Sequence, residues 1–124
     1  MKIDSFVTAV LEKTEMVTRR DALCAIRATL KTLGEGLPAS DAGMLAAQLP
    51  PPVDGYLSGS PRQVHMSLVE FLKRVGERER VYLPEAALHA RAVVEAIEEM
   101  ATDRGDQDMG EVLPTEWQPL VAAN

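Results

Sequence analysis

The feature that most constrains this chain is an internal repeat of one helical pattern. The segment 18–33 places apolar residues at positions i, i+3, i+7 and i+10, and the same spacing recurs 64 residues further on. The two matching sets are Leu23, Ile26, Leu30 and Leu33 in the first half, and Ala87, Ala90, Val94 and Ile97 in the second. An apolar stripe of this period is typical of a helix that buries one face. Its recurrence indicates two copies of one helical unit.

The segments on either side of these two helices repeat as well. The matching pairs are Ile3 and Leu68, Phe6 and Phe71, Val7 and Leu72, Val10 and Val75, Leu49 and Leu113, and Pro50 and Pro114. We predict an all-α fold, a single compact domain of two pseudo-symmetric helical modules with about three to four helices each. The first module covers residues 1–57, a linker covers 58–64, and the second module covers 65–124.

The two central helices carry side chains of different size. Leu23 and Ile26 in the first copy have Ala87 and Ala90 as counterparts in the second. Large residues on one helix and small residues on the other favour a close approach. We therefore expect these helices to contact each other where the modules meet.

Local signals mark the ends of the first central helix. Thr18 and Asp21 have the spacing of a capping box, which predicts the helix start. Gly34 and Gly36 predict its end in a left-handed turn. Farther along, the consecutive prolines 50–52 predict an extended, stiff segment that is followed by one more helical turn.

The composition limits the classes of function. The chain has 124 residues, enough for one core of ordinary size, and only 4% of them are aromatic, which favours a core of aliphatic side chains. The formal charge of −6 repels phosphate backbones and anionic lipids, which disfavours nucleic-acid and membrane binding. A single cysteine excludes an intrachain disulfide and is typical of a reducing compartment. With no signal-peptide pattern or membrane-spanning run in the sequence, we expect a cytoplasmic protein.

Several motifs together resemble a bacterial family of unknown function, DUF2267. They are Phe6-Val-Thr-Ala-Val10, the helix at 22–33, Ala46-Ala47-Gln48-Leu49-Pro50, the segment 71–75, His89-Ala-Arg-Ala-Val-Val94 and Leu113-Pro114. The most specific are the Gln-Leu-Pro stop and the Arg-Ala pair of each central helix. The second copy departs from the pattern, because Val112 stands where a glutamine-like residue is expected. The resemblance implies a duplicated helical fold in a small bacterial cytoplasmic protein, and it implies no catalytic residues.

Two arginines occupy equivalent positions beside the apolar stripes, and two interpretations of them are open. Arg27 and Arg91 are 64 residues apart, each four residues after the first member of its stripe. They can bind an anion or an acidic segment of a partner. Alternatively, each stem covers the edge of the core while the guanidinium pairs with a carboxylate.

Two aromatic residues lie in the matched turns that follow the proline stops. Tyr56 and Trp117 either close the end of each helical module or anchor a protein partner, since such residues are frequent in binding hot spots. Cys24 has Leu88 as its counterpart, which favours a small hydrophobic residue of the core over a reactive thiol.

The sequence contains no nucleophile and base arrangement and no phosphate-binding loop. The two histidines, His65 and His89, have no cysteine or carboxylate at ligand spacing, so we predict neither a metal site nor a cofactor. The preferred hypothesis is a non-catalytic adaptor or scaffold that binds another protein. The alternatives are a binder of small molecules or anions, or an unrecognised enzyme, that uses a cleft between the modules near Arg27 and Arg91. Nucleic-acid binding is disfavoured by charge, and homo-oligomerisation is left open.

Overall fold

The computed structural model describes residues 3–58, 65–104 and 115–120, and every regular element in them is helical. The elements are α1 (Ile3–Glu12), α2 (Arg19–Gly36), α3 (Ala39–Ala46), α4 (Asp54–Ser58), α5 (Leu68–Glu79), α6 (Leu83–Arg104) and a 3-10 helix (Thr115–Leu120). The predicted all-α fold is therefore confirmed.

Helix α2 lies at the centre of the molecule. Its start has the predicted cap, in which the backbone N–H of Asp21 donates a hydrogen bond of 3.1 Å to the hydroxyl of Thr18. It contacts each of the other five α-helices, and the expected contact with α6 is present. Helices α1 and α5 each pack against both α2 and α6, so each of them joins the two central helices.

The two central helices bury the same positions of the repeat. Position by position, the burial of residues 22–33 matches that of 86–97, with two exceptions. Ala25 is buried where His89 is half-buried, and Arg27 is exposed where Arg91 is half-buried. The period detected in the sequence therefore corresponds to one shared orientation of both helices toward the core.

One hydrophobic core contains residues from both halves of the chain. Phe6 and Leu30 from the first half and Phe71 and Ile97 from the second are all completely buried in it. The boundaries proposed for the modules stay a prediction. All of the proposed linker 58–64 except its first residue, and the second leucine-proline stop, lie outside the described residues.

The predicted role of the two glycines at the end of α2 is wrong. The helix continues through both of them to Gly36, and Leu37 caps it with a φ of −99° rather than a left-handed conformation. A Cβ on Gly34 would lie 2.5 Å from the carbonyl oxygen of Leu57, and one on Gly36 would lie 2.3 Å from the indole of Trp117. These glycines permit close approach of other elements to α2.

The proline segment also differs from the prediction. It forms a turn instead of an extended piece, because the backbone N–H of Val53 donates a hydrogen bond of 3.1 Å to the carbonyl of Pro50. The helical turn expected after it is present as α4. The turn directs α4 back onto α2, which it contacts along with α3.

Candidate functional site

A line of polar side chains runs along the outer face of α2. Arg20, Cys24, Arg27 and Lys31 are spaced i, i+4, i+7 and i+11, so they lie within a narrow strip of the helix surface, which we call the α2 stripe. The first three are exposed and Lys31 is half-buried. At 1.5 Å per residue the stripe extends over about 16 Å.

Two surface grooves flank the α2 stripe on opposite sides. The groove toward α4 has a volume of about 480 Å³ and is lined by Arg19, Arg20, Leu23, Cys24, Arg27 and Tyr56. The groove toward α5 has a volume of about 260 Å³ and is lined by Cys24, Arg27, Ala28, Lys31 and Arg78. Cys24 and Arg27 belong to both, so a ligand in either groove would contact the stripe.

The cations around the stripe differ in their pairing. Arg19 forms an ion pair with Asp4, and Arg78 forms one with Glu35. In contrast, Arg20, Arg27 and Lys31 form no ion pair within the part of the chain that the structure describes, and we call them the free cations of the stripe. A chain of formal charge −6 therefore carries a local positive surface whose charge is not neutralised.

Glu35 of α2 forms ion pairs with two arginines of α5, Arg74 and Arg78, and Arg78 lines the groove toward α5. The hydrogen bond from Arg78 is the main reason that the pKa of Glu35 lies below its ordinary value, and the charges of Arg78 and Arg74 add to this effect against the opposing influence of burial. Arg78 also donates a hydrogen bond of 3.0 Å to the hydroxyl of Thr32. The Arg78 side chain, which lines the groove, is thus held in place by Thr32 and Glu35 of α2.

Two of the residues singled out in the sequence come together at the stripe. The guanidinium carbon of Arg27 lies 6.0 Å from the centre of the Tyr56 ring, within the range of a cation–π contact. Tyr56 is half-buried and belongs to α4, which packs on α2. The contact orients the cation at the point where both grooves meet.

Arg91 is not part of this surface. It lies on α6, lines neither of the two grooves, and its Nε donates a hydrogen bond of 3.4 Å to Glu95. This geometry matches the second interpretation of the sequence, in which the arginine pairs with a carboxylate. The two equivalent arginines therefore have different surroundings.

Trp117 lies in the core and has no exposed surface with which to contact a partner. Its indole N–H donates a hydrogen bond of 3.1 Å to the carbonyl of Met66, and its ring centre lies 4.6 Å from that of Phe71. Of the two interpretations, this burial matches the one in which the residue packs inside the fold rather than anchoring a partner. Trp117 is therefore not a candidate contact for a partner.

Cys24 is exposed, so its predicted place in the core is wrong. Its counterpart Leu88 is exposed as well, with 65% of its surface accessible, because this position of the repeat faces outward in both central helices. Arg20 and Lys31 were not among the candidate residues predicted from the sequence. The signal that identifies them is a second stripe, at i, i+4, i+7 and i+11, on the exposed face of α2.

A buried pair of titratable groups lies away from the stripe, where α5 ends. The Nδ1 atom of His89 hydrogen-bonds one carboxylate oxygen of Glu79, whose side chain is only 5% exposed. The other oxygen has no partner within the described residues. Burial raises the pKa of Glu79, His89 opposes this, and the charge of Asp21 adds to it. No third ligand joins the pair, and the described residues contain no group of three or more side chains suited to a metal ion.

The fold and this surface define an all-α protein with a basic face on an acidic body. The model of the family DUF2267, whose members are described as uncharacterized conserved proteins, matches residues 3–120, and the chain belongs to this family. Comparisons with curated proteins and with solved structures gave no match. Among the described helices, none has the length and apolar character needed to cross a membrane.

Proposed function

We propose that this protein is a non-catalytic adaptor of the bacterial cytoplasm that binds another protein through the α2 stripe and its two grooves. The observation that supports the proposal is the set of free cations on the stripe, Arg20, Arg27 and Lys31, in a chain of opposite overall charge. Unpaired arginines beside an aromatic ring are typical of contact surfaces between proteins.

The shape of the surface favours a protein over a small molecule. Sites for small molecules are concave and bury most of the ligand. Here, Arg20, Cys24 and Arg27 are all exposed, and the stripe extends over about 16 Å of helix surface. A ligand of small size would leave most of this surface uncovered, whereas a chain segment would cover it.

A small anion is the second candidate, because two of the free cations, Arg27 and Lys31, line the smaller groove. Arg27, Lys31 and Arg78 line the same volume of about 260 Å³. Guanidinium and ammonium groups in this arrangement suit a carboxylate or phosphate. In this case the grooves would act as a ligand site and the protein would need no macromolecular partner.

Affinity capture from native lysate with mass spectrometry separates the two candidates. The comparison uses the wild-type protein, Arg27→Glu, and Lys73→Glu as a matched control with the same charge change at an exposed position of α5. We expect specific proteins to be recovered with the wild type and the control and to be lost with Arg27→Glu. Recovery of no protein above background, together with thermal stabilisation by a small anionic metabolite, would contradict the adaptor and favour the second candidate.

A further inference from the structure

We infer that the α2 stripe binds an acidic segment of a partner protein, in which carboxylates pair with the free cations and one apolar side chain fills the groove toward α4. The inference rests on the proposed function and names the chemistry of the partner. Three features support it: the spacing of the free cations, the residues that line the larger groove, and the negative formal charge of the chain.

The spacing of the free cations suits a short peptide. Along the axis of α2, Arg20 and Arg27 are separated by about 10 Å and Arg27 and Lys31 by about 6 Å. An extended chain advances about 3.3 Å per residue, so a segment of about six residues spans the whole stripe. Because arginine and lysine side chains are long and flexible, carboxylates two or three residues apart can reach successive cations.

The larger groove adds an apolar component to the site. Leu23 and Tyr56, both half-buried, line it together with Arg19 and Arg20. An aliphatic or aromatic side chain of the partner would cover these apolar surfaces while adjacent carboxylates face the arginines. A segment that combines acidic residues with a leucine or phenylalanine therefore fits this groove better than a purely charged ligand.

The charge of the molecule favours an acidic peptide over nucleic acid. The free cations lie within about 16 Å of helix surface, and the rest of a chain with a formal charge of −6 repels a longer polyanion. A peptide with a few carboxylates is neutralised within the stripe. A phosphate backbone would continue beyond it onto a surface of its own charge sign.

Cys24 provides a built-in reporter for occupancy. It is the only cysteine of the chain, it is exposed, and it lines both grooves. A peptide bound along the stripe would cover its thiol and slow alkylation by a reagent such as iodoacetamide. The reporter needs no substitution, so it reads binding to the wild-type protein.

The test combines fluorescence anisotropy with alkylation of Cys24. The probe is a fluorescein-labelled ten-residue peptide with four glutamates and one central leucine. The competing probes are the same peptide with glutamine in place of glutamate, a single-stranded oligonucleotide of ten thymidines, and inorganic pyrophosphate. We expect the glutamate peptide to bind and to slow alkylation, and the glutamine peptide to bind at least about tenfold more weakly, as loss of charge-assisted hydrogen bonds implies.

Variants locate the binding on the protein. Arg27→Glu should weaken binding of the glutamate peptide at least about tenfold, whereas Lys73→Glu should leave it within about twofold because that lysine lies outside the grooves. The double variant Arg20→Gln with Lys31→Gln keeps both side chains long and polar. This double variant should also weaken binding of the glutamate peptide. It replaces Arg27→Glu in the test if circular dichroism shows that Arg27→Glu disturbs the fold.

Equal affinity for the glutamate and glutamine peptides would overturn the inference, and so would tighter binding of the oligonucleotide. Protection of Cys24 by pyrophosphate without peptide binding would overturn it in favour of a small anion. Loss of captured proteins with Arg27→Glu, in the absence of glutamate-peptide binding, would refute the acidic segment and leave the adaptor intact. Capture that is unchanged by Arg27→Glu would refute the proposed function itself.

Discussion

Helices α2 and α6 bury matching positions of the repeat, but their outer faces have different chemistry. The counterparts of the α2 stripe, 64 residues later, are Pro84, Leu88, Arg91 and Glu95. On α2 the cations are free, whereas on α6 the arginine pairs with the glutamate and an exposed leucine takes the place of Cys24. The shared core constrains the inner face of both helices, and the outer face is free to diverge. The repeated apolar pattern therefore does not give the two helices equivalent outer faces.

The C-terminal ends of the two helices differ for a reason of packing. Helix α2 ends at Gly36, with glycines that allow α4 and the 3-10 helix to approach, whereas α6 continues to Arg104 and has Glu98 in the place of Gly34. The contact between α2 and α4 brings Tyr56 to Arg27. The glycine end of α2 thus helps to build the candidate site.

Among the substitutions that test this difference between α2 and α6, Gly34→Ala is expected to have the largest effect. The new Cβ would lie 2.5 Å from the backbone oxygen of Leu57, so α4 would have to shift, and we expect a loss of about 2 kcal/mol in the free energy of unfolding. Gly43→Ala in α3 is the matched control, because nothing lies within 4 Å of its Cβ. The control should be unchanged or gain up to about 1 kcal/mol. Urea unfolding measures both, and equal values for the two variants would refute the close approach.

A smaller effect, an increase in stability, is expected when Thr29 of α2 is replaced by valine, the residue at the matching position of α6. The hydroxyl of Thr29 is buried without a partner within the described residues, and its counterpart in α6 is the equally buried Val93. Thr29→Val removes an unsatisfied hydroxyl at nearly constant volume, so we expect a gain of about 1 kcal/mol in the free energy of unfolding.

Thr32→Val serves as the contrasting variant for this prediction. The hydroxyl of Thr32 donates a hydrogen bond of 2.8 Å to the carbonyl of Ala28 and accepts one from Arg78. Its removal should lower the free energy of unfolding by about 1 kcal/mol. If chemical denaturation showed both valine variants shifted in the same direction, the assignment of the free hydroxyl to Thr29 would be incorrect.

The smallest effect concerns the position where α2 has buried Ala25 and α6 has His89 paired with Glu79. Because the pKa of Glu79 is raised, its carboxyl keeps a proton in the folded state at pH values where the unfolded chain has released it. Its contribution to stability therefore decreases as the pH rises above the ordinary value of 4.5.

The isosteric variant Glu79→Gln removes this titration. The free energy of unfolding of the variant minus that of the wild type should increase as the pH rises from 4.5 toward 7. Denaturation of both proteins across this pH range gives the difference directly. A difference that stays constant with pH, or that decreases, would show that burial does not control this carboxyl.

The parts of the fold that depend on local chemistry were predictable from the sequence. The apolar stripes, the cap at Thr18 and the turn of α4 each follow from residues close together in the chain. The role of Gly34 is not predictable from neighbouring residues, because it depends on a backbone oxygen of Leu57, 23 residues away. For the site, only Arg27 and Tyr56 were anticipated. The pairing of Arg19 and Arg78, which leaves the other cations free, depends on carboxylates of other elements.

We propose that the outer face of α2, and not that of α6, is the binding face. Backbone amide chemical shifts, followed by NMR during titration of the ¹⁵N-labelled protein with the glutamate peptide, test this directly. We predict shift changes concentrated in residues 19–31, with further changes at Tyr56 and Arg78. Changes concentrated in residues 84–95, with those of 19–31 unaltered, would contradict the account.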